Sequence, residues 1–282
     1  MLRQLRSALD RAIVDPAVAV ALERAGIETN EEGFDPWGFH FETAVRWLSL
    51  ARQAYRYFRP VLSGIEHLPA RGRVMIVGNH SGQLPFDGLV VAIACLLEAP
   101  SPRLARAMAE RWFAHLPFVS EAFTRSGVVL GDPTNARSLL MGEQALLVFP
   151  EGARGSGKTW DQRYRLVPFG RGFLKLALET GTPILPVSIV GGEESIASVH
   201  NAKAVARLLH TPYWPVPALL PLLGPLAYAP LPVRFHVRFG PPLTFSGQPD
   251  DDATVDAMVR QVMGVIQAMV DCGLAERKGL FR

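Results

Sequence analysis

Beyond Gly72 the chain alternates short apolar runs, rich in β-branched residues, with longer segments in which apolar residues recur at helical spacing. Short runs of this kind are typical of strands buried on both faces, and the alternation favours a parallel sheet covered by helices. The predicted strands cover residues 74–77, 127–130, 145–149 and 183–190. The predicted helices between them cover residues 89–97, 136–141 and 172–180. The pattern therefore predicts an α/β domain with a mainly parallel central sheet flanked by helices.

The N-terminal part of the chain has a different pattern. Residues 1–30 are predicted to form short amphipathic helices, and residues 31–38 a linker rich in helix breakers. Residues 42–60 predict a basic amphipathic helix with aromatic residues. Such a helix lies either at a membrane interface or on the surface of its own domain. We therefore expect an N-terminal helical region over residues 1–60 and a second region, the domain itself, over 61–282.

Two segments near the C-terminus are also distinctive. Residues 233–239 alternate with a period of two, as in a half-exposed strand near a sheet edge, and residues 252–270 predict a helix. The uncharged stretch over 208–233 contains seven prolines, which exclude a regular membrane-spanning helix. Three roles remain open for it: a segment at the bilayer interface, the wall of a tunnel for an apolar chain, or a loop packed on the domain.

Charge and residue spacing narrow the possible functions. The 282 residues carry 29 Lys and Arg against 26 Asp and Glu, a net charge of +3. This modest basic excess suits an anionic membrane surface or a phosphorylated substrate, and no nucleic-acid partner is predicted. The histidines show no spacing typical of metal ligands, so we expect no metal. Charges throughout the first ten residues predict that no signal peptide is present.

A histidine and a carboxylate follow the first predicted strand. The strand ends in a small polar turn that presents His80, and Asp87 comes seven residues later. A histidine held by a carboxylate removes protons from hydroxyl groups near neutral pH, and α/β proteins place their chemistry at strand ends. A straight helix would separate the two by about 10 Å, but Gly82 and Pro85 break such a helix. The pair is a candidate catalytic dyad; the alternative is a loop histidine beside a helix N-cap.

A glycine-rich segment follows the strand predicted at 145–149. Gly152 to Thr159 match G-x-x-x-x-G-K-[ST], the phosphate-binding loop of many nucleotide-hydrolysing enzymes. Such a loop opens directly into a long helix whose N-terminus faces the phosphates. Here residues 160–168 lack helical periodicity and end in a proline. We interpret the match as accidental and keep an NTP-dependent enzyme only as an alternative.

Four blocks of sequence resemble, in order, those of the glycerolipid acyltransferase family, of the 1-acylglycerol-3-phosphate acyltransferase type. They lie at residues 79–87, 126–132, 149–154 and 182–187, and the resemblance extends over about residues 62–245. It implies an α/β enzyme that moves a fatty acyl group from coenzyme A or acyl carrier protein to a glycerolipid hydroxyl. It also implies that the protein acts at the cytoplasmic face of a membrane, as a peripheral or monotopic protein, and that it needs no bound cofactor. A lipid-binding module without catalytic activity is the alternative.

The resemblance also implies residue roles. His80 is expected to be the general base and Asp87 to orient it. Residues expected to bind substrate are Asn79, Arg137, Glu151, Gly152 and Arg154. Glu151 is expected to position the acceptor hydroxyls, the two arginines to bind phosphate, and the loop at Gly152 to offer backbone N–H groups to an anion. Alternatively, Glu151 and Arg154 pair with each other.

The chain departs from the family pattern at two places. Six residues separate His80 from Asp87, where the family usually has four. Pro133 follows Asp132, where the family usually has an arginine that binds the acceptor phosphate, and Arg137 is the nearest substitute. Either a phosphate-bearing or a neutral lipid is therefore a candidate acceptor.

Overall fold

The computed structural model describes residues 13–116 and 118–281, which contain nine β-strands and eleven α-helices. The strands are β1 (Val61–Ser63), β2 (Val74–Gly78), β3 (Ala105–Ala109), β4 (Val129–Leu130), β5 (Ala145–Val148), β6 (Ile184–Val190), β7 (Ser198–Asn201), β8 (Pro215–Pro217) and β9 (His236–Phe239). The helices are α1 (Pro16–Arg24), α2 (Phe41–Phe58), α3 (Phe86–Leu97), α4 (Val119–Arg125), α5 (Pro133–Met141), α6 (Ala153–Ser156), α7 (Gly172–Thr180), α8 (Gly192–Ser195), α9 (Lys203–Leu208), α10 (Leu220–Leu223) and α11 (Asp252–Glu276).

Seven of the strands form one sheet, in the order β1-β9-β6-β2-β5-β3-β4. The five strands from β6 to β4 run parallel to one another. β9 is antiparallel to β6, and β1 pairs in parallel with β9 at the edge. β7 and β8 form a separate antiparallel pair. The structure confirms the prediction of an α/β domain with a mainly parallel central sheet flanked by helices.

The central strands are apolar on both faces, so helices cover both. Every residue of β2 and β6 is buried, as parallel strands require. Val74 and Ile76 of β2 enter a core shared with α1, α2 and α3. Met75 and Val77 enter a second core, shared with α5, α7 and α11. Alternate residues of one strand serve two cores because successive side chains point to opposite faces of the sheet.

Most predicted elements are present with shifted ends. Three predicted strands match β2, β5 and β6 to within one residue, and the run predicted at 127–130 shortens to the two residues of β4. The strand predicted at 233–239 is β9, which lies beside the edge strand and alternates between buried and partly exposed residues. The sequence analysis missed β3 because Ala105–Ala109 contains no β-branched or aromatic residue.

Helix α2 packs on the domain by one face. Residues 1–12, which belong to the predicted N-terminal helices, lie outside the described residues. α2 corresponds to the helix predicted at 42–60; it buries Phe58 in the first core and leaves Trp47 and Leu50 more than two-fifths exposed. The division of the chain at residue 60 stays a prediction.

The proline-rich segment over 208–233 has structure of its own. It contains β8, α10 and a 3-10 helix at Gly224–Tyr228, and β8 pairs with β7. Within the described ranges, none of the helices has the length and apolar character needed to cross a bilayer.

Candidate active site

Asn79 joins the end of β2 to β6. Its side chain is buried, and its amide pairs with the backbone of Ile189: Oδ1 accepts the N–H at 2.7 Å, and Nδ2 donates to the carbonyl at 2.9 Å. The side chain thus extends the β2–β6 pairing by one step beyond the strand. Both ends of the amide are thus bonded within the sheet, and the role of Asn79 in substrate binding stays a prediction.

The turn after Asn79 folds back to bring the predicted dyad together. His80 Nδ1 lies 2.5 Å from Oδ2 of Asp87. The reversal occurs at Gly82, whose φ of +104° suits glycine and where a β-carbon would lie 2.8 Å from the carbonyl oxygen of Gly192. The Gly191-Gly192 turn after β6 therefore packs directly against the loop that carries His80.

Asp87 is fully buried in the first turn of α3. Besides the imidazole, Oδ2 accepts the N–H of Ser81 at 2.8 Å, and Oδ1 accepts the N–H of Gly88 at 2.7 Å. Pro85, rather than Asp87, is the N-cap of the helix. The hydrogen bonds fix the carboxylate so that it can orient the imidazole. The Ser81 hydroxyl is itself buried, which does not suit a nucleophile.

Opposing effects set the pKa of His80. Burial lowers it, but the charge and hydrogen bond of Asp87 raise it, and the charge of Glu151 adds to the increase. The charge of Lys158 lowers it, and the net result is a pKa above the ordinary value. The Phe149 ring stacks on the imidazole, with centroids 4.7 Å apart and planes 19° apart. Because Nδ1 is held by Asp87, Nε2 is the nitrogen left for a substrate proton.

Glu151 holds the backbone around His80. It is buried; Oε1 accepts the N–H of His80 at 2.8 Å, and Oε2 accepts the N–H of Val167 at 2.9 Å. Its charge partner is Lys158, whose buried ammonium lies 3.4 Å from Oε2 of Glu151. The same ammonium lies 3.3 Å from Oε1 of Glu193. Burial raises the pKa of Glu193, against the lowering effect of Lys158. Glu151 therefore holds the backbone at His80, and its charge partner is Lys158 rather than Arg154. That it also positions the acceptor hydroxyls stays a prediction.

Of the three remaining residues predicted to bind substrate, one lies at the cavity and two lie away from it. Gly152 lines the cavity described below. Arg154 is exposed, and its Nη2 donates to the carbonyl of Pro168 at 2.9 Å. Arg137 lies on the exposed side of α5, where its guanidinium pairs with Glu179 of α7. The structure places neither arginine in the lining of the cavity.

The segment from Gly152 to Thr159 does not form a nucleotide-binding loop. Only the four residues of α6 are helical within it, and the Lys158 ammonium is enclosed by carboxylates. Its glycines serve close packing instead. A β-carbon on Gly155 would lie 2.7 Å from the β-carbon of His80. The glycine pattern therefore allows α6 to approach the dyad.

An apolar cavity of about 560 Å³ lies beside His80, between helices α2, α3 and α4 and strand β3. Along α3 its wall extends from Asp87 to Leu96, about 13 Å at 1.5 Å per residue. Glu110 lines it, whereas none of the described side chains in the lining is Lys or Arg. In the described part of the chain, no group of three or more His, Cys, Asp or Glu side chains could hold a metal ion.

Comparison with known proteins places this site in a family. A family model of acyltransferases matches residues 59–190. An uncharacterised protein of Mycobacterium tuberculosis is 38% identical over 257 residues, which cover 89% of this chain and 71% of that protein. A 1-acyl-sn-glycerol-3-phosphate acyltransferase of Borreliella burgdorferi is 30% identical over 139 residues, 46% of this chain and 50% of the enzyme. The crystal structure of the 1-acyl-sn-glycerophosphate (LPA) acyltransferase PlsC from Thermotoga maritima has the same fold, with a TM-score of 0.58 and 18% identity over 98% of this chain and 99% of that one.

The chain belongs to the acyltransferase family. The matched region of the acyltransferase ends with β6, so it includes His80, Asp87 and Glu151. Strands β7 and β8 and the proline-rich segment follow it.

The acyltransferase site also contains residues that sequence reasoning missed. The Tyr213 hydroxyl donates to the carbonyl of Gln83 at 2.8 Å, and burial raises the pKa of this tyrosine to about 12. Tyr213 and Glu110 both line the cavity. Lys158 and Glu193 were missed as a buried pair, although each had a sequence signal. Lys158 stood in the nucleotide-loop pattern, and Glu193 follows the carboxyl end of β6, and chemistry in α/β sheets collects at such strand ends.

Proposed function

We propose that this acyltransferase moves a fatty acyl group from a thioester of coenzyme A or acyl carrier protein to a hydroxyl group of a glycerolipid. The observation that carries the proposal is the 2.5 Å contact between His80 Nδ1 and Asp87 Oδ2 in the wall of an apolar cavity. A general base beside an apolar chamber is what transfer of an apolar chain to a hydroxyl requires.

The proposed reaction needs one base and no acyl-enzyme. His80 Nε2 takes the proton of the acceptor hydroxyl while the hydroxyl oxygen bonds to the thioester carbonyl carbon. The carbon–sulfur bond then breaks, and the thiolate leaves with the proton that His80 returns. Asp87 stabilises the imidazolium formed between these steps. The thioester is already activated, so positioning the two substrates supplies much of the remaining acceleration.

The cavity is the proposed site of the acyl chain. Burying each methylene contributes about 0.8 kcal/mol, so apolar walls favour a long chain. Small side chains leave room between the helices: Ala51, Ala54, Ala92, Ala105, Ala107 and Ala122. The wall along α3 leads away from His80, which leaves the carbonyl carbon of the thioester near the imidazole.

The charge near the dyad favours a neutral acceptor over one with a phosphate next to the reacting hydroxyl. Glu110 lies in the cavity wall, and a β-carbon on Gly152 would lie 3.1 Å from its Oε1. Arg137 and Arg154 are engaged elsewhere, and Pro133 stands where relatives are expected to carry an arginine. A monoacylglycerol or diacylglycerol is therefore the proposed acceptor, and lysophosphatidate is the alternative.

Transfer of radiolabelled acyl groups tests the proposal. Native protein and His80→Ala are incubated in detergent micelles with acyl-CoA, then with acyl carrier protein as donor, and with a panel of neutral glycerolipids and lysophospholipids. We expect product with a neutral acceptor and its loss in His80→Ala. Product that survives in His80→Ala would refute the mechanism. Lipid binding without product from either donor would favour the lipid-binding module.

A further inference from the structure

We infer that the proline-rich segment forms a docking surface for an anionic lipid bilayer. The biological role of this surface rests on the proposed function, whereas the experiment that tests for the surface does not. The segment displays leucines around α9, α10 and the 3-10 helix at Gly224–Tyr228. This leucine surface consists of Leu208, Leu209, Leu219, Leu222, Leu223, Leu226 and Leu231.

The leucine surface is far more exposed than scattered apolar residues require. Leu208, Leu222 and Leu226 are 77%, 80% and 73% exposed, and the other four are all at least 36% exposed. Single exposed leucines are common on soluble proteins, but four of these seven lie within residues 219–226, on two helical segments that contact each other, and an exposed apolar patch of this kind marks a site of interaction. The segment therefore exposes to water apolar side chains that would be more stable in a hydrocarbon phase.

The exposure does not arise from a loose loop, because hydrogen bonds hold the backbone beneath it. The indole Nε1 of Trp214 donates to the Tyr228 hydroxyl at 3.1 Å, which in turn donates to the Pro215 carbonyl at 2.9 Å. The N–H of Leu231 donates to the carbonyl of Ser195 at 2.8 Å. With its backbone held in this way, the segment can press leucine side chains into an apolar phase without unfolding.

The charges of the segment itself favour an anionic partner. Residues 195–249 contain no Asp or Glu, whereas Lys203 and Arg207 are exposed on α9, beside Leu208. Anionic headgroups attract such basic residues while apolar side chains enter the acyl boundary. A protein partner is less suited, because protein interfaces depend on aromatic and Arg anchors, with leucine under-represented.

The leucine surface is joined to the cavity in two places. The Tyr57 hydroxyl of α2 donates to the Pro230 carbonyl at 2.7 Å. Tyr57 shares a helical face with Trp47 and Leu50, which are exposed and line the cavity. On the other side, Tyr213 of the segment lines the cavity itself. A bilayer bound at the leucine surface would therefore lie beside the cavity that we assign to the lipid acyl chain.

Vesicle sedimentation tests the inference without any measurement of activity. Native protein is compared with Leu222→Glu/Leu226→Glu on vesicles of phosphatidylcholine alone and mixed with phosphatidylglycerol. Met141→Glu is the matched control, since Met141 is 58% exposed on α5, outside the leucine surface. We expect the native protein and the control to bind the mixed vesicles and the double variant to bind at least about tenfold more weakly. We expect Lys203→Glu/Arg207→Glu to abolish the preference for phosphatidylglycerol.

Two results would overturn the inference: native protein that binds no vesicles, or a leucine variant that binds them as native protein does. If the native chain is a dimer in light scattering and the leucine variant a monomer with unchanged vesicle binding, the surface joins two copies instead. Activity in detergent micelles separates this test from that of the proposed function. The leucine variant is expected to keep native activity there, because its substitutions lie outside the cavity lining, and to lose it on vesicles.

Discussion

Glu151 accepts the backbone N–H of His80 at 2.8 Å, so the carboxylate of the third sequence block holds the turn that carries the proposed base. Its second oxygen accepts the N–H of Val167 at 2.9 Å. One buried side chain therefore connects the end of β2 with the segment that leads to α7. The negative charge also contributes to the raised pKa of His80.

Replacing Glu151 is expected to impair both stability and catalysis. Glu151→Gln keeps one acceptor oxygen but turns an amide N–H₂ group toward a backbone donor or toward Lys158, at a cost of about 1–3 kcal/mol in the free energy of unfolding. Glu151→Ala should cost more, since it leaves both backbone donors unpaired. Loss of the charge should also move the acidic limb of the kcat/KM profile to lower pH. Denaturant unfolding and pH–rate profiles measure these effects; Glu179→Gln, at an exposed ion pair, is the control and should match native protein. An active, fully stable Glu151→Ala would contradict the positioning role.

Asp87→Asn is expected to change the pH dependence of the reaction as well as its rate. A general base must be neutral, so kcat/KM of native protein should fall as pH decreases through the raised pKa of His80. Without the Asp87 charge, burial dominates and the pKa falls, so the acidic limb should move to lower pH. The plateau should drop by about 100- to 10,000-fold. The pH–rate profiles of both proteins decide the matter, and an unchanged midpoint in Asp87→Asn would argue that His80 is not the titrating base.

The dyad could be predicted because its signals are local. A strand, a small polar turn and breakers at Gly82 and Pro85 lie within one short stretch of sequence, and together they allow the loop to fold back. Asn79 and Glu151 lie in equally recognisable blocks, yet the hydrogen bonds that they make in the structure were not predicted. Their partners are distant in sequence, and the β2–β6 pairing that puts Ile189 beside Asn79 is a property of the folded sheet.

The cavity could not be predicted for a related reason. Its walls come from elements that are distant in sequence, and one of them is β3, whose alanines carry no strand signal. The same alanines make the space, because small side chains leave room between packed elements. Lys158 had a strong sequence signal, but the signal named the wrong chemistry, since burial between Glu151 and Glu193 is visible only in three dimensions.

Lys158→Met is expected to destabilise the protein and shift its pH profile in the direction opposite to that of Asp87→Asn. Removing one partner from a buried charge cluster costs about 3–5 kcal/mol. The positive charge lowers the pKa of His80, so its loss should move the acidic limb to higher pH. Lys158→Met/Glu193→Gln should recover part of the stability, whereas Lys175→Met, at an exposed ion pair, should cost at most about 1 kcal/mol.

Thermal unfolding with and without nucleotide tests the alternative role of Lys158 in a phosphate-binding loop. If the loop bound nucleotide, ATP with magnesium would raise the Tm of the native protein. At an ATP concentration of a hundred times Kd, the free energy of unfolding would increase by about 2.7 kcal/mol. We expect no such rise, because the ammonium is enclosed by carboxylates. A nucleotide-dependent Tm that Lys158→Met abolishes would restore the NTP-dependent alternative.

Ala92→Phe is expected to shorten the acyl chains that the enzyme accepts. Ala92 lines the cavity five residues after Asp87 on α3, about 7.5 Å along the helix axis. A phenyl group there should close the chamber beyond that level, so kcat/KM for long-chain thioesters should fall steeply while short-chain thioesters keep near-native values. Leu96→Phe, about 13 Å along the same helix, should affect only the longest chains. A series of acyl-CoA lengths assayed with both variants gives the two cut-offs. Equal losses at every chain length would show that the acyl chain does not lie along α3.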